Sequence, residues 1–247
     1  MKEKKFWIAG FNPFELALIA TVSIISAFFL TQALAGADGE GVLYAFLDFV
    51  AAFCGICSVV LCAKGKRSGF IFGLVNVAGY AAISFHNAYY GEVMLNVLFY
   101  IPANIISYIL WTKHKDDDRG GREVKARALT GLQLAASIAV ISAITFGYHF
   151  VLESLGGAMT MLDGATTVLS IFATILMALR YSEQWFFWII IDVLTVALWC
   201  FAGDPVMIAM WAAYLINAVY GYLMWLNKAG RRVPLKRLLD KAAGNGR

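Results

Sequence analysis

The chain has 247 residues, of which 61% are hydrophobic and 15% charged, and its formal net charge is +4. Soluble domains carry about 25% charged residues. This composition, with a mean hydropathy of +0.71, therefore excludes an ordinary soluble enzyme. The charges cluster in short segments between long apolar runs. Lipid imposes that pattern, because backbone polar groups inside a bilayer must be satisfied within helices. The sequence predicts an all-α membrane protein.

Eight apolar runs have about the 20-residue length that crosses the hydrocarbon core of a bilayer. In chain order they are 13–34, 42–63, 69–87, 92–112, 128–152, 159–179, 185–202 and 205–226. All 20 Lys and Arg residues lie at the N-terminus, in the loops after spans 2, 4 and 6, and in the tail. Basic residues favour the cytoplasmic side. We therefore predict a multi-pass protein of the bacterial inner membrane with both termini in the cytoplasm.

Two three-span segments of the chain resemble each other. Aromatic and polar residues recur at a nearly constant offset of 114 to 116 residues. The pairs are Tyr100 with Tyr214, Tyr108 with Tyr222, Trp111 with Trp225, Asp48 with Asp163, Leu61 with Leu176 and Asn76 with Asp192. A three-span unit ends on the opposite side of the membrane from where it began, so two parallel copies need one connecting span. We predict eight transmembrane helices arranged as 1+3+1+3.

The predicted organisation has six parts. The first apolar run resembles a secretory signal peptide. It is longer than the usual apolar region of such signals, so we expect it to be retained as a transmembrane helix. The tail forms either a short helix on the membrane surface or a solvated segment. In chain order the parts are an extra N-terminal transmembrane helix (1–35), the first repeat (42–112), a cytoplasmic linker (113–127), a connector helix (128–152), the second repeat (159–226) and a basic cytoplasmic tail (227–247).

Span 7 carries a stripe of aromatic and acidic side chains. Trp185, Trp188 and Asp192 lie on one helical face because they are spaced i, i+3 and i+7. A mid-span carboxylate is costly, and it usually faces the bundle interior or an aqueous cavity. Indoles beside a carboxylate suit a planar cationic ligand through stacking and cation–π attraction, worth about 0.5–2 kcal/mol per contact. The alternatives are an interfacial anchor for Trp185 and a structural hydrogen bond for Asp192.

Span 8 offers neutral polar groups for the same site. Tyr214 and Asn217 share one face of the predicted helix. An amide both donates and accepts hydrogen bonds, so Asn217 suits a carboxamide or ribose hydroxyls. Interhelical hydrogen bonding is the alternative. Trp211 is turned away from this face, and we place it at the edge of the site or against lipid.

The first repeat contributes a second set of candidate binding residues. Asn96 and Tyr100 lie on the matching face of span 4, and Asn76 in span 3 stands opposite Asp192 by pseudo-symmetry. An asparagine and an aspartate at equivalent positions would let an asymmetric ligand distinguish the two halves. Pro102 lacks an N–H and is expected to kink span 4.

Polar residues near the outer ends of spans 2 and 6 are candidates for the lining of a pathway. Asp48 and Asp163 lie within two turns of those ends, and Thr167 and Ser170 continue a polar stripe down span 6. The alternative for both aspartates is a charge that complements the helix dipole.

The sequence resembles the bacterial PnuC transporters of nicotinamide riboside. The resemblance rests on Trp185-x-x-Trp188-x-x-x-Asp192 in span 7, on Trp211-x-x-Tyr214-x-x-Asn217 in span 8 and on the basic turn Lys64-Gly65-Lys66-Arg67. It covers roughly residues 42–226. It implies a SWEET-like bundle, a homotrimer with one pathway per subunit, and facilitated uptake of an intact nucleoside that is then kept in the cell by phosphorylation.

The pyridinium of nicotinamide riboside is a planar cation of the kind that span 7 suits. We therefore expect alternating access around a mid-membrane site, with thiamin or another vitamin, or a sugar, as the alternative substrate. Cofactor and metal sites are not expected, and the four cysteines are interpreted as small packing residues. The sequence lacks the motifs of a phosphate-binding loop, a serine hydrolase or a zinc protease, so we predict a transporter and not an enzyme.

Overall fold

The computed structural model describes residues 11–36, 39–86, 90–115, 123–154, 160–202 and 205–230. These residues form helices and isolated bridges, with no β-strand among them. In chain order the α-helices are α1 (Pro13–Gly36), α2 (Gly39–Ala63), α3 (Gly69–His86), α4 (Tyr90–Leu95), α5 (Ile101–Lys113), α6 (Gly131–Ser154), α7 (Thr160–Ala178), α8 (Gln184–Ala202) and α9 (Pro205–Lys228).

The apolar runs of the sequence coincide with these helices to within about three residues at each end. Among the described residues, six helical spans are long and apolar enough to cross a membrane, by length and composition. Helix α8 adds a shorter apolar stretch, Gln184–Ala197. The prediction of an all-α, multi-pass membrane protein is confirmed.

Six helical segments pack side by side in a closed ring. Helix α2 contacts α3, α3 contacts α5, and α5 contacts α7. Helix α7 contacts α8, α8 contacts α9, and α9 returns to α2. Helix α1 packs against α2 and α9, and α6 packs against α7. The first and fifth predicted spans therefore add to the ring without forming part of it.

Helices α2 and α7 end in the same kind of turn. Gly65 and Arg180 follow these helices and adopt left-handed backbone conformations, with φ of 73° and 67°. In both turns this residue's N–H bonds the carbonyl three residues back, and the next N–H bonds the carbonyl five residues before it. This is the Schellman pattern of helix termination. The two positions are 115 residues apart, which is the offset of the sequence repeat.

Four aromatic side chains meet at this end of the ring, and we call Phe70, Trp111, Trp185 and Trp225 the tryptophan seam. The ring centroids of Trp111 and Trp225 lie 5.3 Å apart at its centre. Phe70 packs edge-on against Trp111 at 4.7 Å, and Trp185 packs edge-on against Trp225 at 6.4 Å. All four side chains are buried, so the seam closes this end of the ring.

Two crossed hydrogen bonds hold the seam. The indole Nε1 of Trp111, on α5, donates to the carbonyl of Met177 on α7 at 2.9 Å. The indole Nε1 of Trp225, on α9, donates to the carbonyls of Cys62 and Ala63 at the end of α2, both at 3.1 Å. Each bond joins a helix of one sequence repeat to a helix of the other. The two halves of the ring are therefore tied to each other at this end.

The fourth span is interrupted at Asn96–Tyr100, which forms a π-helical turn between α4 and α5. The N–H of Ile101 bonds the carbonyl of Asn96, five residues back. Pro102 then occupies the first turn of α5, where its missing N–H costs nothing. The irregularity expected at Pro102 thus takes the form of a π turn just before it. Such turns are frequent at functional sites.

The start of α1 is anchored by a buried polar network. Asn12 and Glu15 cap the helix reciprocally: each side chain accepts a hydrogen bond from the other's backbone N–H, at 2.8 and 2.9 Å. The Glu15 carboxylate also accepts from the Tyr220 hydroxyl at 2.9 Å and pairs with Lys64 Nζ at 2.5 Å. Glu15 and Lys64 are both buried. Lys64, which the sequence places in the basic turn after span 2, is thus half of an ion pair that joins α1 to α2 and α9.

Several predicted features lie outside the described residues. They are the first ten residues, the middle of the 113–127 linker and the tail after residue 230. The side chain of Asp163 also lies outside the described part of the chain.

We expect Glu15→Gln to destabilise the protein strongly, because it leaves the Lys64 ammonium buried without its counter-charge. Removing one partner of a buried pair costs about 3–5 kcal/mol. The measurement is the thermal unfolding midpoint of the detergent-purified protein. The control is Glu153→Gln. Glu153 is exposed and lies 3.8 Å from His149, and an exposed ion pair contributes little to stability. Equal midpoints for the two variants would contradict the role of the buried pair.

Candidate functional site

Helices α8 and α9 run antiparallel, and two contacts give their register. A Cβ atom at Gly221 would lie 2.8 Å from ring atoms of Trp185, so that indole packs directly on the α9 backbone. Further along, Asp192 lies within electrostatic range of Tyr214. Asn217 is four residues from Gly221, so it is level with Trp188 or its neighbour on α8. The register thus places the span 7 stripe beside the span 8 residues, as predicted from the sequence.

Asp192 is the central group of the site. Its side chain lies inside α8 and is only 4% exposed. Among the described residues no cationic side chain pairs with it, and no hydrogen bond of its carboxylate is found there. A buried carboxylate without a partner is expensive in a protein interior. The position therefore calls for a cationic ligand or water to offset that cost.

The side chains of Asn76 and Tyr214 converge over Gly55 on α2. A Cβ atom at Gly55 would lie 2.9 Å from Asn76 Nδ2 and 3.1 Å from the Tyr214 hydroxyl. Asn76 Nδ2 donates to the carbonyl of Ala51 at 2.8 Å. This hydrogen bond orients the Asn76 amide and links α3 to α2. The Asn76 and Tyr214 side chains therefore both lie over α2, and Asp192 is within electrostatic range of Tyr214.

Besides the amide group of Gln184, three buried polar atoms on α8 and α9 have no hydrogen-bond partner among the described residues. They are Oδ1 of Asn217, Nε1 of Trp185 and Nε1 of Trp211. Buried polar atoms are normally satisfied, and exceptions require an explanation such as a ligand or an ordered water. The Trp211 ring packs edge-on against Tyr214 at 5.6 Å. Trp211 therefore lies at the edge of the site and not simply against lipid.

The two tryptophans of span 7 have different surroundings. Trp185 is buried in the tryptophan seam, against Gly221 and Trp225. Trp188 is half-buried and lies between the seam and a second apolar cluster on α7 and α8. Part of the Trp188 ring is therefore accessible, and the residue lies at the same height along the helices as Asn217. Trp185 borders the site with its unpartnered N–H.

The candidates of the first repeat lie on the π turn. Asn96 is buried at its first position, and Tyr100 packs its ring against Phe99 at its last. The turn contacts α3, the helix that carries Asn76. Asn104, one turn further, donates to the carbonyl of Tyr100 at 2.9 Å. The structure thus places Asn96 and Tyr100 on a turn that packs against α3, the helix that carries Asn76.

The predicted pathway residues are partly placed by the structure. Asp48 is exposed on α2, and Thr167 and Ser170 are half-buried on α7. The backbone carbonyl of Ser170 accepts a hydrogen bond from Thr174. The assignment of Asp48, Asp163, Thr167 and Ser170 to a pathway stays a prediction.

Sequence reasoning missed three positions that the structure brings forward. Gly55 provides the space that Asn76 and Tyr214 occupy. Gly73 does the same for Asn104, whose Oδ1 would clash with a Cβ there at 2.4 Å. Gln184 is wholly buried at the first residue of α8, and neither atom of its amide group has a partner among the described residues. In the sequence, a glutamine directly before Trp185 at the start of an apolar run was the feature that could have identified Gln184 as a candidate.

The arrangement of polar and aromatic side chains on α8 and α9 suits the binding of a small molecule. Among the described residues there is no group of three His, Cys, Asp or Glu side chains that could hold a metal ion. A ring of membrane-spanning helices that encloses partnerless polar groups is the arrangement of a small-molecule carrier. The fold and the site thus define the class of multi-pass membrane transporters.

Comparison with known proteins agrees with this class. The family described as nicotinamide mononucleotide transporter matches residues 45–227. The nicotinamide riboside transporter PnuC of Neisseria mucosa is 42% identical over 188 residues, 73% of this chain and 72% of that protein. The protein of that name from Haemophilus influenzae is 34% identical over 222 residues, 90% of this chain and 93% of the relative.

A solved structure is also similar. The crystal structure of the vitamin B3 transporter PnuC superposes with a TM-score of 0.73 at 36% identity, covering 92% of this chain and 96% of that one. The chain belongs to the PnuC family, and it is a transporter and not an enzyme. The resemblance found in the sequence motifs is confirmed.

We expect Gly55→Ala and Gly147→Ala to change stability in opposite directions. Replacing glycine by alanine inside a helix stabilises it by up to about 1 kcal/mol, and Gly147 on α6 has open space around it. At Gly55 the new methyl group would displace Asn76 and Tyr214, so the thermal midpoint should fall instead of rising. A similar rise in both variants would show that the two side chains are not held over Gly55.

Proposed function

We propose that this protein takes up nicotinamide riboside across the bacterial inner membrane by facilitated diffusion. The observation that carries the proposal is the buried, unpaired carboxylate of Asp192 beside aromatic and amide side chains. Nicotinamide riboside is a planar pyridinium cation with a carboxamide and ribose hydroxyls, so it matches each of these groups. The names of the relatives given above support the same substrate.

The proposed roles follow from the position of each side chain. Trp188 stacks on the pyridinium ring, with Trp185 bordering it. Asp192 offsets the positive charge. Asn217 bonds the carboxamide or the ribose, with Asn76 or Asn96 holding the remaining polar groups. The aromatic side chains Tyr214, Trp211 and Tyr100 complete the walls.

Charge favours the riboside over the mononucleotide as the substrate. The mononucleotide carries a phosphate, which is recognised by Arg, Lys or a helix N-terminus. Every Lys and Arg of the chain lies outside the apolar spans, and Asp192 would repel the phosphate. Thiamin is the second candidate, because it is also an aromatic cation and could use Asp192 in the same way. A sugar lacks the charge that would give Asp192 a role.

Facilitated diffusion is consistent with the charge of the ligand. A membrane potential of 100 mV changes the energy of one elementary charge by about 2.3 kcal/mol, which corresponds to roughly 50-fold accumulation. A cationic nucleoside is therefore drawn into a cell whose interior is negative without a coupling ion. We assign no coupling ion, since among the described residues no second or third acidic, histidine or cysteine side chain joins Asp192 in a group that could hold a metal ion.

We further propose that the ring consists of two parallel repeats, residues 42–112 and 159–226, in a SWEET-like 1+3+1+3 arrangement. Three features support the repeat: the closed ring of six helices, the matching turns at Gly65 and Arg180, and the crossed hydrogen bonds of Trp111 and Trp225. Helices α6 and α1, which form the described parts of the connector (128–152) and of the first helix (1–35), pack outside the ring.

The orientation and assembly complete the proposal. The basic residues place both termini, the 113–127 linker, the 227–247 tail and the tryptophan seam on the cytoplasmic side. The family resemblance suggests a homotrimer with one pathway per chain. In this orientation the described conformation is closed toward the cytoplasm, and opening requires the two halves to part along the seam. The π turn at Asn96–Tyr100 is a suitable flexing point for that movement.

We expect Asp192→Asn to weaken the binding of nicotinamide riboside about 10- to 100-fold, because the interaction with a charged partner is worth about 1.5–3 kcal/mol. Binding of nicotinic acid riboside should fall less, since its own carboxylate already offsets the pyridinium charge. Isothermal titration calorimetry on the purified protein measures both, with Glu153→Gln as the control. Equal losses for both ligands would remove Asp192 from charge recognition, and tight binding of thiamin alone would favour the second candidate.

We expect Trp225→Phe to loosen the seam, because it keeps the ring and removes the hydrogen bond to the end of α2. A net loss of about 0.5–1.5 kcal/mol corresponds to a 2- to 10-fold rise in the open population. Maleimide labelling of Cys62 in inside-out vesicles measures this, with the other three cysteines replaced by alanine. Trp111→Phe should raise Cys62 labelling to the same extent. An effect of Trp225→Phe alone would show two separate local contacts instead of one gate.

A further inference from the structure

An apolar groove lies on the outer surface of the bundle, away from the Asp192 site. It has a volume of about 530 Å³ and is formed by α6, α7 and α8. Its floor contains Ile141, Leu169 and Phe187, which are buried, and its rim contains Ile138 and Phe146, which are exposed. The floor belongs to the apolar cluster that joins α7 and α8. In a membrane this groove opens toward lipid.

Two arginines lie together at one end of these helices. Arg127 and Arg180 are clamped by two backbone hydrogen bonds of 2.8 Å: Arg127 N–H donates to the Arg180 carbonyl, and Ser182 N–H donates to the Arg127 carbonyl. The Arg127 guanidinium lies over the Tyr181 ring at 4.6 Å. Burial and the neighbouring Arg127 charge both lower the pKa of Arg180. Among the described residues neither arginine has a carboxylate partner.

The backbone at Arg180 argues that its side chain has a use. Arg180 is the one non-glycine residue with positive φ among the described residues. At the equivalent turn after α2 the chain uses glycine, which adopts this conformation without steric cost. An arginine retained in a strained conformation, next to a second arginine of the same charge, is a reason to look for a function.

The arginine pair and the groove are continuous. Tyr181 and Phe186 pack on the apolar cluster that forms the groove floor. Phe186 and Ile190, which line the groove, follow the start of α8 by two and six residues. With a rise of about 1.5 Å per residue, the groove opens within about 9 Å of that helix end. One leaflet of the hydrocarbon core is roughly 15 Å thick, so an acyl chain of the same leaflet reaches it.

We propose that Arg127, Arg180 and the α6–α7–α8 groove form a binding site for one anionic glycerophospholipid. The two guanidinium groups hold the headgroup phosphate, and one acyl chain lies in the groove. Guanidinium groups bind phosphate through paired, charge-assisted hydrogen bonds. The buried Glu183 carboxylate lies in the same corner, where it accepts hydrogen bonds from the Leu129 N–H and the Ser182 hydroxyl. The lipid phosphate supplies the oxygens that bond the two guanidinium groups directly. The site is independent of the transport site, so its test does not involve transport.

The experiment uses the full chain purified in detergent without added phospholipid. Phosphatidylglycerol or phosphatidylcholine with the same acyl chains is added in mixed micelles. Native mass spectrometry counts the lipids retained, and the thermal midpoint is measured in parallel. We expect phosphatidylglycerol to raise the midpoint by several degrees with one lipid retained per chain, and phosphatidylcholine to do neither. Inorganic phosphate alone is the third addition, and we expect no effect from it.

Variants separate the headgroup contacts from the groove. Arg127→Gln with Arg180→Gly should abolish the effect of phosphatidylglycerol. Arg180→Gly alone should melt at or above wild type without lipid, since it relieves the backbone, and yet lose most of the shift with lipid. Lys113→Gln with Lys125→Gln removes the same charge from exposed positions and should keep the effect. Ser142→Leu, which fills the groove, should lose the bound lipid with both arginines in place.

Three results would overturn the proposal. An equal shift with phosphatidylcholine would mean unspecific lipid packing. The same shift with inorganic phosphate would mean a small-anion site without an acyl chain. A change of oligomer mass in Ser142→Leu, with the lipid count unaltered, would mean that a second copy of the chain covers the groove.

Discussion

The structure depends on one constraint: inside a bilayer a polar group has no water to bond, so it must find a partner in the protein or in a ligand. Many polar side chains in the spans satisfy this requirement with a hydrogen bond to a nearby backbone carbonyl. Ser23, Thr174 and Thr195 donate to the carbonyl four residues before them, and Asn76 bonds across to α2. Among the described residues, the groups without a partner include Ser107 on α5 and Gln184 at the start of α8. Asn217 and Trp211 are also in this set, and they lie with the Asp192 carboxylate on two neighbouring helices. The site is recognised by what the fold leaves unsatisfied.

The same constraint explains how the two halves of the ring are joined. The last carbonyls of a helix have no partner within the helix, and those of α2 and α7 receive the indole N–H groups of Trp225 and Trp111. These hydrogen bonds are specific enough to close the seam and weak enough to break. A carrier needs both properties, because its closed end must open in each cycle. The network of Glu15, Lys64 and Tyr220 holds α1 to both α2 and α9, so it also links the two halves of the ring and would have to rearrange when they part.

Much of the fold was predictable from the sequence because lipid makes apolar length and charge placement informative. The spans were located to within a few residues. The repeat and the role of the stripe from Trp185 to Asp192 stay predictions. Tertiary contacts were not predictable in the same way. Spacing could not show that Trp185 packs on Gly221, that Lys64 is buried against Glu15, or that a π turn precedes Pro102.

The central claim is that Asp192 recognises the charge of a cationic nucleoside between α8 and α9. A structure of the full chain with nicotinamide riboside bound tests it most directly. The account predicts the pyridinium ring within about 6 Å of the Trp188 ring, its charge about 4–6 Å from the Asp192 carboxylate, and the carboxamide or ribose on Asn217. A ligand bound away from α8 and α9, or one held with its ribose against Asp192 and its ring in lipid-facing space, would contradict the account.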